Sequence, residues 1–179
     1  MRYVIAAGAA IIFCLALISN GDAQGKKKDT TEPLPPRADE VPKYLKMLAA
    51  PNGKDRALAA EKLGLRGMVN ANDVVDAVDP LMKALEKDSE ADVRKAAARA
   101  LGNIQPDPKD TVPLLEAAVK NDKIMEVRLA AVIALGQYGP EARAALPTLR
   151  DFAGEIKDKK SQQAQTVLAA IKMISGKKK

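Results

Sequence analysis

The sequence predicts an all-α chain, an α-solenoid of about four stacked helix pairs, and three observations predict it. Two segments align without a gap at an offset of 34: Asp92-Val93-Arg94-Lys95-Ala96-Ala97-Ala98-Arg99-Ala100-Leu101-Gly102 and Glu126-Val127-Arg128-Leu129-Ala130-Ala131-Val132-Ile133-Ala134-Leu135-Gly136. A fixed period of this length marks stacked units. Prolines at 42, 80, 113 and 147 recur at spacings of 38, 33 and 34, and Leu63, Leu101, Leu135 and Ile171 recur at 38, 34 and 36. Composition agrees with both series. Hydrophobic residues make up 47% of the 179 but aromatic residues only 3%, so the core is built from alanine and aliphatics. Alanine is the best helix former and carries no side-chain entropy to lose, which favours helices packed at short distance.

The amino-terminal segment has the layout of a secretory signal peptide. Arg2 precedes an uncharged apolar run from Tyr3 to Ser19, and Gly21 and Ala23 put small residues at the −3 and −1 positions of a cleavage site before Gln24. An uncleaved anchor over residues 3–21 is the alternative, since that stretch approaches the roughly 20 residues a spanning helix needs. Phe13 before Cys14 is too bulky for a lipoprotein signal. Residues 24–38, with Lys26 to Lys28, Pro33, Pro35 and Pro36, form a Lys/Pro-rich linker that cannot bury apolar surface.

The repeat body follows over 39–176, in units near 39–70, 73–105, 107–139 and 140–176, with a basic tail at 177–179. In each unit a first helix is entered near a proline, where a missing N–H is best tolerated. The second unit's later helix has Val93, Ala97, Ala100, Leu101 and Ile104 on one apolar face. Asp88, Ser89 and Asp92 near its start suit free amides and the positive end of the dipole. Gly102 and Gly136 are expected near helix ends, as stops. Pro106, Pro108 and Gly139-Pro140 mark the connections.

The pattern Pro-x-h-x-x-h, a polar turn, then Asp/Glu-Val-Arg-x-x-Ala-x-x-Ala-Leu-Gly resembles HEAT repeats of the phycobilin-lyase-related type, over about Asp39 to Gly176. The second and third units carry it best. The first keeps Arg56, Leu63 and Gly64, while the fourth has Ala164 and Lys172 where arginine and glycine are expected. Terminal units have one face without a neighbour and diverge towards capping. The resemblance implies that Arg56, Arg94 and Arg128, which share one repeat position, each reach an acid in their own or the adjacent unit as structural inter-repeat residues. It also implies an inner surface lined by the second helices. By helical phase its candidate partner-binding positions are Ala57, Glu61 and Leu65, then Lys95, Arg99 and Asn103, then Leu129, Ile133 and Gln137, then Gln165, Ala169 and Met173. Among these, Lys95 and Arg99 supply cations, and Leu129, Ile133, Ala169 and Met173 supply apolar contact. The competing reading buries the apolar members in the core.

The chain contains no histidine, and its only cysteine is Cys14. Ser-His-Asp and Cys-His chemistry, zinc sites of imidazole and thiolate, and disulfides in the mature body are thereby excluded. Asp88, Glu90 and Asp92 alternate like a calcium loop, but Val93 and Arg99 stand where glycine and glutamate are needed. Of the formal charge of +6, little belongs to the body: between Asp39 and Ser175 there are 21 Lys and Arg against 20 Asp and Glu. The expected function is therefore an exported, monomeric scaffold, not an enzyme and without a cofactor, that binds an extended or helical segment of an unknown protein partner. The alternative is electrostatic binding of a polyanion or anionic surface through the lysine tails, without specific nucleic acid and with a membrane only if the amino-terminal segment stays uncleaved. A bilin-lyase-like cofactor-handling protein is the least favoured reading.

Overall fold

A computed structural model describes residues 35–176. The expected signal segment, residues 24–34 of the linker and the terminal lysines lie outside these residues. Helices α1 (Val41–Met47), α2 (Gly53–Val69), α3 (Val78–Lys87), α4 (Ala91–Ile104), α5 (Pro108–Asn121), α6 (Met125–Tyr138), α7 (Leu146–Glu155) and α8 (Gln162–Ser175) follow in order. Short 3-10 helices, Ala71–Ala77 and Gly139–Ala145, lead into α3 and α7. No helix among the described residues is long and apolar enough to cross a membrane.

The helices form two layers. The even-numbered second helices lie side by side, α2 against α4, α4 against α6 and α6 against α8, while α1, α3, α5 and α7 cover one side of that row. Between the layers the core is aliphatic, with Leu63, Leu81, Leu101, Leu115, Leu135 and Leu149 each fully buried. Phe152, Tyr138 and Tyr44 are buried as well, so no aromatic face among the described residues is open to stack a base. Tyr138 donates to the Pro106 carbonyl at 3.2 Å, and burial pushes its hydroxyl up to about 12.

One polar device starts the second helices. Asn52, Asp88, Asp122 and Asp158 each accept from the backbone N–H two residues on, at 2.9–3.0 Å. This Asx turn satisfies an amide just before or at each helix start. Two sequence expectations need correction. Gly102 and Gly136 lie inside α4 and α6, which stop instead at Gln105 (φ 52°) and Gly139 (φ 56°). Pro113 is not near a helix start: α5 begins five residues earlier, where Asp107 accepts from Lys109 N–H, so proline there leaves one i−4 carbonyl without its amide.

Candidate functional site

The seams between second helices set the geometry of the inner face. A β-carbon on Gly64 would meet Ala100 Cα at 2.7 Å, one on Gly102 would meet Ala134 Cα at 2.8 Å, and one on Gly136 would meet Ala170 Cβ at 3.2 Å. Each glycine thus receives the alanine of the next second helix, which brings the helix backbones close and leaves the residues beyond them on one continuous surface. The Ala-Leu-Gly signature encodes this ladder: its alanine faces the preceding helix and its glycine the following one.

At the amino ends of the same helices, arginines tie unit to unit. Arg56 donates through Nε and Nη2 to Asp88, both at 2.7 Å, and through Nη1 to the Ala50 and Pro51 carbonyls. Arg94 repeats this one unit on, with Asp122 at 2.7 and 3.0 Å and the carbonyls of Asp88 and Ser89. Hydrogen bonding from Arg56 and from the Glu90 amide holds the Asp88 carboxyl below the usual carboxylate range. Burial pushes Asp122 up, but Arg94 and the Ile124 amide more than offset it and leave it low. Arg128 departs from the pattern. It donates to the Val119 carbonyl and to Glu155, and its guanidinium lies 4.0 Å from the Phe152 ring centroid.

Residues of α2, α4 and α6, from the amino ends of α2 and α4 towards the carboxyl ends, line an open groove of about 850 Å³. Of the sequence-predicted positions, Ala57, Glu61 and Leu65 line it from α2, Lys95, Arg99 and Asn103 from α4, and Ile133 and Gln137 from α6. Leu129 does not. It is half-buried and packs against the core. Ala169 and Met173 are exposed on α8 but lie outside the groove lining, so the groove belongs to the first three units.

Within it, Leu58 and Ile133 are each 42% exposed. Lys95 is paired with Asp92 at 2.6 Å, and that lysine holds the Asp92 carboxyl below its usual range. Gln137 donates to Asn103 Oδ1 at 3.1 Å, an amide pair bridging α4 and α6. Helical phase missed Leu58, together with Asn52, Lys54 and Glu90, which lie at the amino ends of α2 and α4. The exposed Leu58 left a trace in the sequence, an apolar residue just off the alanine face of α2.

The family model for HEAT repeats matches this chain over residues 41–109 and 78–169. No curated protein matches it.

Proposed function

The chain belongs to the HEAT repeat family, and from that premise we propose that it is an exported, non-enzymatic scaffold holding a segment of another protein in the groove of α2, α4 and α6. One observation carries this reading: Leu58 and Ile133 stay 42% exposed inside a concave groove that charged residues also line. Apolar side chains in a solvated concavity gain by contact with a partner, and charges beside them give that contact a register. Export rests on Arg2, the apolar run to Ser19 and the small residues Gly21 and Ala23. Polyanion binding through the lysine tails receives no support from the body, whose charges nearly balance and whose described aromatic rings are buried.

The test is affinity capture by the mature chain from an extracytoplasmic fraction. Ile133→Asp is expected to lose the captured protein while melting as the native chain does. Val75→Asp, at an exposed site outside the groove lining, is expected to keep it. Equal capture by both variants would sink the groove as the binding face.

A further inference from the structure

The groove carries a pattern that specifies its occupant. Glu61, Arg99 and Ile133 hold the same repeat position on three successive second helices, and all three line the groove. Lys95 is neutralised by Asp92, whereas neither Glu61 nor Arg99 forms an ion pair among the described residues. At this repeat position the groove therefore presents, from α2 to α6, an unpaired anion, an unpaired cation and an exposed aliphatic side chain, while Lys54, Leu58 and Glu90 line it closer to the helix amino ends.

Spacing decides the conformation that can read all three. Packed helices lie ~8–10 Å apart. A polyproline II segment has three residues per turn and rises ~3.1 Å per residue, so it advances about one helix spacing per turn and returns every third side chain to the same face. A β-strand returns a side chain to the same face every ~6.6 Å, short of one helix spacing, and falls out of register across three helices. An α-helix returns a side chain to the same face every ~5.4 Å, which falls short of one spacing at one turn and overshoots it at two.

We propose that the occupant is a polyproline II segment of another protein carrying a basic, an acidic and an apolar residue at three-residue intervals. Its base meets Glu61, its acid meets Arg99 and its apolar residue meets Ile133. This inference rests on the proposed groove and adds the partner's chemistry to it.

The test uses fluorescently labelled synthetic peptides and anisotropy. One is Lys-Pro-Pro-Asp-Pro-Pro-Leu, the second is its isomer with Lys and Asp exchanged, and each is also made with the chain direction reversed. The native chain is expected to prefer the peptides in which Asp lies next to Leu and Lys beyond it, by about tenfold, since exchange turns two attractions into repulsions worth several tenths of a kcal/mol each. The Glu61→Lys, Arg99→Glu double variant is expected to invert that preference, and Ile133→Asp to abolish binding of both. If both isomers bind equally and both are lost with Ile133→Asp, the charge pattern is overturned but the groove stands. Binding unaffected by Ile133→Asp overturns the groove itself, and binding of neither peptide overturns the pattern and leaves the capture experiment to judge the groove.

Discussion

Arg94 shows how much one side chain can hold in a stack without disulfides. Its side chain is 16% exposed and that of Asp122 only 9%, and the same guanidinium satisfies two carbonyls of its own turn. Alanine there leaves a nearly buried carboxylate and two carbonyls without their donor, so Arg94→Ala is expected to lower stability by about 2 kcal/mol. Arg94→Lys recovers little, because an ammonium cannot reproduce the planar fork. Acid titration identifies the partner. Asp122 titrates below its ordinary 3.8 when folded, so the folded chain binds that proton less tightly than the unfolded one. The stabilisation is complete above the unfolded value and disappears as pH falls through the folded one. The gap between native and Arg94→Ala chains in urea unfolding should therefore narrow below about pH 4; a constant gap would rule out Asp122 as the energetic partner. The repeat period made the arginines legible in the sequence, but their acids lie 27 to 32 residues on, beyond local pattern. Only the folded turn shows that an Asx-turn carboxylate does both jobs.

Among elements, the second helices are positioned by contacts that the sequence states in a misleading place. Glycine two residues before a helix end reads as a stop, yet Gly102 and Gly136 are seats for the alanines of the next helix, and the stops fall at Gln105 and Gly139. Periodicity revealed the helices; it could not tell a glycine that ends one from a glycine that admits another, because the difference lies across the seam. Substitution separates the two roles. Alanine gains about 1 kcal/mol of helix propensity at any of these sites, but a methyl at Gly64 or Gly102 would sit 2.7 or 2.8 Å from a backbone Cα and force the helices apart. Gly64→Ala and Gly102→Ala are expected to destabilise by about 1–2 kcal/mol net of propensity. Gly136→Ala, whose nearest contact is 3.2 Å, should remain within about 0.5 kcal/mol of the native chain. Denaturant midpoints rank the three, and equal effects would mean that the ladder does not set helix spacing.

At the scale of the whole stack, the described second helices form a row whose last member breaks the row's own rule. Lys172 stands where the ladder has glycine, and Leu168 stands where Ala60, Ala98 and Val132 are fully buried under the next helix; Leu168 is 55% exposed. Among the described second helices α8 packs on α6 alone, and its outer face carries a lysine where the inner seams have glycine. Its single seam is also the loosest, with Gly136 and Ala170 at the widest spacing of the ladder, and the arginine beside it, Arg128, reaches from α6 to a Glu155 at the end of α7 that is 56% exposed. In a linear stack each unit is held by its own stability and its nearest neighbours, so opening should begin at such an end. Native-state hydrogen exchange is therefore expected to show amides of α8 opening at lower free energy than those of α4, which has seams on both sides. If α8 and α4 exchange at one common free energy, the four units open together and the linear account fails. The groove makes the same experiment informative about binding. Because α2, α4 and α6 line it and α8 does not, an occupant adds protection to the first three units and leaves the opening of α8 where it was.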